Sequence, residues 1–225
     1  MVSLINNIVW HALNGAHAKY SLGNDQARRY MQGFAPLVGF ANLTDPDFEA
    51  LSLVCQPNEK FYVTQWTGPV AHGWQILAES SAYQMFGINE QLVPDEDLEP
   101  TLLGSEHLAQ ILELVSLTHT EPFGPRTIEL GEYFGFFRDQ KLVSMCGERI
   151  EADSFREVCS ACTHPDYRSQ GLARRLIQKI MRRQYHRGQT PFGHVMKENT
   201  HALDIYKRMG FESHKEVVVR VIKKL

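Results

Sequence analysis

The chain has 225 residues, which is enough for one large domain or two small ones and for a core that needs no metal or disulfide. With 43% hydrophobic and 22% charged residues the composition is that of a globular protein, and the net charge of -3 argues against nucleic acid, whose binding usually requires a basic surface. No apolar run is long enough to cross a membrane, and the first residues lack the basic start and cleavage site of a signal peptide. We therefore expect a cytoplasmic protein with neither nucleic acid nor membrane as a partner.

The first half of the sequence, residues 1–95, predicts a small α+β region. Apolar residues at helical spacing indicate an N-terminal helix, and a short helix is expected to start at Asp45, because aspartate is a good N-cap. Stretches rich in β-branched and aromatic residues predict strands at 61–64, 74–77 and 83–86. The acidic, proline-bounded stretch 94–100 is typical of a connection, so we divide the chain into regions 1–95 and 96–225. The first region carries no chemistry that its pattern can name.

The second half predicts a more regular succession of elements. An amphipathic helix is expected over about 105–118, with Ser105 as its N-cap, because apolar residues recur there at i, i+3, i+4 and i+7. The elements expected after it are antiparallel strands near 132–138, 141–150 and 155–163, a helix near 170–187, a strand at 192–196, a helix capped by Asn199, and a strand from Val217. This order indicates an α+β, mixed α/β fold class.

The four cysteines include one C-x-x-C pair, Cys159 and Cys162, within a predicted strand. Spacing i, i+3 on a regular strand would put the two side chains on opposite faces. A redox C-x-x-C usually opens a helix, and a zinc site needs a second pair of ligands that the sequence does not supply. We therefore expect buried, reduced thiols and no metal site.

The segment from Thr163 to Ala173 is the most informative part of the sequence. A predicted strand ends there and a helix begins, so main-chain N–H groups without helical partners gather at one point and form an anion site. Gly171 and Ala173 would let a phosphate approach the backbone closely, and Arg168 would add a charged donor. The sequence matches neither the P-loop nor the dinucleotide-binding glycine pattern. The alternative is an ordinary strand–loop–helix with a solvated arginine.

Two stretches resemble the GNAT-type N-acyltransferases. THPDYRSQGLARRLI is similar to their R/Q-x-x-G-x-G/A motif, and ENTHALDIYKRMGF resembles their last helix. Upstream, TEPFGPRTIELGEYFGFF, LVSMCGERI and EVCSACTHPD resemble the FR47-like acetyltransferases, and the glycine N-acyltransferases share this C-terminal block. The resemblance covers about 105–215, and Ser169 departs from the glycine common in the motif.

The resemblance implies the GNAT fold for the C-terminal half and an acyl-CoA, such as acetyl-CoA, as co-substrate without a metal. In that fold the strands before and after the motif helix splay apart and coenzyme A lies between them. The pantetheine would pair with Ala161, Cys162 and Thr163, and the pyrophosphate would lie on the amides of Arg168, Ser169, Gln170, Gly171, Leu172 and Ala173. Asn199 matches a residue that contacts coenzyme A, although it could equally be only an N-cap.

The resemblance also implies direct attack of an amine on the thioester. Tyr206 matches the tyrosine that protonates the leaving thiolate, its alternative being a core residue on an apolar stripe. Glu157 matches a glutamate that activates the amine, with Glu148 as a rival. The alternative for either carboxylate is a solvated strand end or an ion pair with Arg149 or Arg156.

The sequence thus favours an N-acetyltransferase that acts on a small amine or amino acid. Three alternatives stay open: a protein N-terminus or lysine as acceptor, a non-catalytic acyl-CoA-binding module, and a redox protein that uses Cys159 and Cys162. Residues 1–93 are hypothesised to be a degenerate copy of the same fold that encloses the acceptor site. The chain could be a monomer or a homodimer.

Overall fold

A computed structural model describes residues 2–88 and 99–225. The helices are α1 Val2–Ile5, α2 Ile8–Asn14, α3 Phe48–Ser52, α4 Leu108–Thr118, α5 Leu172–His186 and α6 Thr200–Arg208. The strands are β1 Ser21–Gly23, β2 Ala27–Tyr30, β3 Val38–Phe40, β4 Lys60–Thr64, β5 Trp74–Gly87, β6 Thr101–Leu102, β7 Tyr133–Arg138, β8 Lys141–Ala152, β9 Phe155–Thr163, β10 Thr190–Met196 and β11 Phe211–Lys224. Most of the predicted connection at 94–100 lies outside the described residues.

Eight strands form one mixed sheet in the order β4-β11-β5-β10-β9-β8-β7-β6, and β1, β2 and β3 form a small second sheet. Every neighbouring pair in the large sheet is antiparallel except β9 and β10. A parallel pair needs a long crossover connection, which α5 supplies here. The predicted mixed α/β fold class is confirmed.

The first half of the chain contributes an internal strand to the large sheet. β5 pairs along its whole length with β11 and, on its other side, with β10. The two strands predicted at 74–77 and 83–86 are therefore one strand, since continuous pairing with β11 leaves no turn between them. The division at residue 95 separates two segments of a shared sheet, and its meaning as a domain boundary stays a prediction.

Helix α5 closely matches its predicted range, and its apolar side packs on the large sheet. Ser105 is not the N-cap of α4, because a 3₁₀ turn at Ser105–His107 precedes the helix and His107 caps it. Asp47, rather than Asp45, caps α3, its carboxylate accepting from the Ala50 amide at 2.7 Å. The last strand begins at Phe211 and not at Val217, because its first residues already pair with β5.

The two faces of the large sheet are covered differently. One face packs against α5 and α6, whose side chains share a core with Met85, Val158 and Val195. The opposite face is covered by α2 and the small sheet, in a core that includes Tyr30 and Phe192. Within residues 2–88 and 99–225, no helix is both long and apolar enough to cross a membrane.

The two cysteines of the C-x-x-C pair lie on the same face of β9, which corrects the prediction of opposite faces. Cys159 stands opposite Gly147 and Cys162 opposite Met145, so three steps on β9 match two on β8. The extra residue forms a β-bulge, and Ser160 has a φ of 53° there. Both thiols are free and buried, as expected, and burial raises the pKa of each.

Candidate active site

A cleft opens where β9 and β10 part. The parallel pairing ends at Glu157 and Phe192, although β9 runs on to Thr163 and β10 to Met196. The space between the diverging strands is about 810 Å³ and is bounded by α5 and α6. The strand edges facing the cleft present main-chain donors and acceptors that the sheet no longer pairs.

Most of the predicted site residues meet in this cleft. Its lining includes Glu157, Ala161, Cys162, Thr163, Arg168, Ser169, Gly171, Leu172, Ala173, Asn199 and Tyr206. Gln170 is not part of that lining and is exposed in the loop before α5. The structure therefore gathers the residues of three separate sequence segments around one space.

The start of α5 presents free amides to the cleft. The first main-chain bond of the helix is Arg175 N–H to Gly171 O at 3.1 Å, so the N–H groups of Leu172 to Arg174 have no partner four residues earlier. Gly171 has a φ of 75°, and a Cβ there would meet nothing within 4 Å, so its outer side is open. The Arg168 amide is different, because it already donates to Pro165 O at 3.3 Å. Arg168 can serve an anion only through its exposed guanidinium.

Asn199 caps α6, accepting from the Ala202 amide at 3.0 Å, and it is exposed where it lines the cleft. Its predicted capping is confirmed. Contact with coenzyme A stays a prediction.

Tyr206 is buried, and its hydroxyl donates to Val158 O at 3.2 Å. Its ring packs on Phe211, with centroids 4.7 Å apart. Gly193 makes this position possible, because a Cβ there would lie 2.8 Å from Cε1 of Tyr206. Burial raises the pKa of the phenol well above 10, so Tyr206 keeps its proton.

Glu157 is an ionised carboxylate held by three donors. Arg149 donates through Nε at 2.9 Å and Nη2 at 3.1 Å, and His194 Nδ1 lies 3.0 Å from Oε1. Burial alone would raise the carboxyl pKa, but the charge of Arg149 and the contact with His194 outweigh it and lower the pKa to about 2. Glu157 therefore forms the ion pair with Arg149 that one alternative predicted, and this pair lines the cleft. A catalytic role of Glu157 stays a prediction.

Glu148, the rival carboxylate, is buried outside the cleft lining. Gln184 donates to it at 3.0 Å, and Arg156 and Arg187 form ion pairs with it. These contacts link β8 to the C-terminal part of α5, so Glu148 has a structural role and does not face the cleft.

His194 and Gln84 are polar residues of the site that sequence reasoning missed. His194 lines the cleft from β10, and Gln84 stands opposite it on β5, with 3.2 Å between its Nε2 and Nε2 of His194. Neither belongs to a spacing motif. The available signal was a histidine and a glutamine inside predicted strands that are otherwise mainly apolar.

The loop after α4 closes the cleft on the side of Glu157. Pro122 O accepts from Arg149 Nη1 at 3.1 Å, and Tyr62, from the first half of the chain, donates to Glu121 Oε2 at 3.1 Å. His119 also lines this side and is exposed. Both halves of the chain thus contribute to this side of the cleft.

Comparisons with known proteins agree with this geometry. Residues 133–221 match the family described as FR47-like protein. The fold matches a structure assigned to the GNAT-family acetyltransferases from Novosphingobium aromaticivorans, with 26% identity over 98% of each chain and a TM-score of 0.86. A GCN5-related N-acetyltransferase from Kribbella flavida has 13% identity over 96% of this chain and 94% of its own, with a TM-score of 0.64. No curated protein matches the chain.

The predicted resemblance is therefore confirmed on two grounds, the matched family segment and the fold of the chain. The segment 133–221 contains the diverging strands and the α5 motif, which are the features that build the cleft. The chain has the fold of the GNAT-type N-acyltransferases, with an FR47-like segment at residues 133–221.

Proposed function

We propose that the protein is an N-acetyltransferase, which moves an acetyl or other short acyl group from acyl-CoA to a primary amine of a small molecule or amino acid. The observation that carries this proposal is the opening between β9 and β10, which leads directly to the free amides at the start of α5. An extended thioester with a charged diphosphate at one end fits such a space.

The acyl-CoA would lie along β9. Its pantetheine arm would pair with the free edge from Ala161 to Thr163, and its pyrophosphate would bind amides between Ser169 and Ala173. The exposed guanidinium of Arg168 adds a charge-assisted donor at the same end. In this position the thioester would lie near Tyr206 and Glu157.

The acceptor amine would attack the thioester directly, with both substrates bound. Tyr206 is the acid, because its buried hydroxyl is protonated and lies at the cleft wall. To reach the sulfur, this hydroxyl exchanges its bond with Val158 O for one with the departing thiolate. Glu157 accepts a hydrogen bond from the amine through Oε2, which receives only one of its three donors, Arg149 Nε.

A screen of free amines and amino acids with acetyl-CoA, read as thiol release, tests the proposal. We expect release that depends on the amine, with the acetylated amine as product by mass spectrometry. Thiol release at the same rate with and without any amine would contradict the proposal, since it would indicate hydrolysis. Binding of acetyl-CoA without turnover of any amine would favour the non-catalytic module.

A further inference from the structure

We propose that the acceptor is a weakly basic primary amine that enters the cleft uncharged, because the buried groups beside Glu157 leave no place for its proton. This inference rests on the proposed function and narrows its substrate class. An aromatic amine or the α-amino group of a small peptide has the required chemistry, whereas an alkylamine such as a lysine side chain does not.

The groups around Glu157 keep its carboxylate ionised. Only 1% of its side chain is exposed. Arg149 donates two hydrogen bonds to the carboxylate, and His194 Nδ1 lies within hydrogen-bond distance of it. Taking a proton would neutralise the carboxylate and leave the charge of Arg149, whose side chain is only 12% exposed, without its partner, which is costly. Glu157 can therefore orient an amine through a hydrogen bond but cannot remove its proton.

The contact with Gln84 indicates which ring nitrogen of His194 carries the proton. The Gln84 amide nitrogen lies 3.3 Å from Ile5 O. If the amide were turned over, Oε1 of Gln84 would face Ile5 O, and two acceptors would oppose each other. The same nitrogen faces His194 Nε2 at 3.2 Å, so Nε2 must accept and the ring proton must reside on Nδ1, where it faces Glu157. Both ring nitrogens of His194 are thus engaged, Nδ1 with Glu157 and Nε2 with Gln84, so neither is directed at an amine in the cleft.

The other described buried groups around Glu157 offer no base either. Three other titratable groups interact electrostatically with Glu157: Tyr30 on β2, Cys159 on β9 and Tyr206 on α6. Burial raises the pKa of all three, so all keep their protons. Arg156 on β9 forms ion pairs with Glu148 and Glu151. The described buried groups around Glu157 are thus an imidazole whose two nitrogens are both engaged, and phenol and thiol groups that keep their protons.

The transfer balances without an enzyme base. The lone pair of the neutral amine forms the C–N bond, the C–S bond breaks, and the sulfur takes the proton of Tyr206. The nitrogen becomes acidic once it has attacked, and its proton passes through water to restore Tyr206. The products are an amide and free coenzyme A thiol, with no net change in protons.

The test compares pH profiles of kcat/KM for three amines with acetyl-CoA: an aromatic amine, the α-amino group of a dipeptide amide, and the ε-amino group of Nα-blocked lysine. We expect the alkaline rise of each profile to follow the pKa of that amine. At pH 7.5 the lysine amine should react on the order of 10²-fold more slowly than the α-amine, because pKa values of about 10.4 and 7.8 leave very different neutral fractions.

A rise at one common pH for all three amines would overturn the inference, because it would report an enzyme base. The exposed His119 is the residue to check, and loss of that common rise in His119→Ala would identify it. No acylation of any amine would instead overturn the proposed function itself, and this inference with it.

A spectroscopic measurement tests the same point without turnover. In ¹⁵N NMR at pH 8, His194 should carry its ring proton on Nδ1, whereas Gln84→Glu, which offers an acceptor to Nε2, should favour a proton on Nε2. A proton on Nε2 of His194 in the unaltered protein would overturn the inference.

Discussion

Tyr206 and Glu157 are both buried in the same cleft wall, yet their surroundings fix opposite protonation states. Tyr206 meets a neutral carbonyl and a ring, so burial preserves its proton. Glu157 meets a guanidinium and an imidazole, so it loses its proton in spite of burial. The sequence resemblance indicated both positions, but the charge of each follows from neighbours that lie far away in the chain.

Replacing Tyr206 by phenylalanine should lower kcat about 100-fold, within the range for a general acid, and leave the Kd of acetyl-CoA unchanged. Steady-state kinetics together with calorimetry would measure both quantities. Tyr20, a half-buried tyrosine packed against the core on the opposite face of the large sheet, supplies the matched control, and Tyr20→Phe should change neither quantity. Equal kcat values in the two variants would rule out the acid role of Tyr206.

The Arg149–Glu157 pair should make the free energy of unfolding depend on pH. Folding lowers the Glu157 pKa to about 2 from about 4.3 in the unfolded chain. The ionised carboxylate therefore contributes about 3 kcal/mol to the free energy of unfolding above about pH 4.3, and this contribution is lost as the pH falls toward 2. Glu157→Gln should therefore unfold more easily than the unaltered protein at pH 7, and the difference should vanish near pH 2. Urea unfolding at several pH values would measure it.

Glu113→Gln, an exposed glutamate on α4, is the control for that series and should unfold like the unaltered protein throughout. A stability difference for Glu157→Gln that stays constant from pH 7 to pH 2 would be inconsistent with the ion pair described.

At the scale of elements, the glycines at the two ends of α5 allow a matched comparison. Gly171 has a φ of 75° and Gly188 a φ of 69°, and a Cβ on either would meet nothing within 4 Å. Alanine at either position should therefore cost about 1 kcal/mol of stability through backbone strain alone. Only Gly171→Ala should also weaken acetyl-CoA binding, by about tenfold, because only that end lines the cleft.

Thermal unfolding and calorimetry on the two variants would separate these effects. Equal losses of acetyl-CoA affinity in Gly171→Ala and Gly188→Ala would mean that the diphosphate does not bind at the start of α5.

Elements with a strong local pattern could be predicted from sequence, and those set by distant pairing could not. The range of α5 and the Asn199 cap follow from local patterns, and both were predicted. The bulge at Ser160 depends on how β9 aligns with β8, so sequence spacing put Cys162 on the wrong face. The place of His194 beside Gln84 depends on pairing between residues 110 positions apart, which no local pattern reveals.

At the scale of the whole molecule, the first half of the chain is part of the framework of the site. β5 separates β10 from β11 in the large sheet and supplies Gln84 beside the cleft, and Tyr62 on β4 reaches Glu121. The sequence predicted a distinct region 1–95, because a local pattern predicts where a strand lies but not with which strands it pairs. Whether this region is a degenerate copy of the same fold stays a hypothesis.

Residues 99–225 expressed alone should therefore fail to fold. Without β5, strand β11 loses the neighbour with which it pairs along its full length, and β10 loses its antiparallel neighbour. We expect no cooperative thermal transition by circular dichroism and no acetyl-CoA binding, whereas the full chain should show both. A cooperative transition and acetyl-CoA binding by residues 99–225 would support an independent domain and contradict this account.

The most direct test of the account concerns the diphosphate at the start of α5. Calorimetry should compare acetyl-CoA with S-acetylpantetheine, which carries the same thioester arm but no diphosphate. Two charge-assisted hydrogen bonds are enough for a difference of about 100-fold, so acetyl-CoA should bind one per chain and at least that much more tightly. Equal affinities of the two thioesters would contradict the account, because the free amides of Leu172 to Arg174 would then hold nothing.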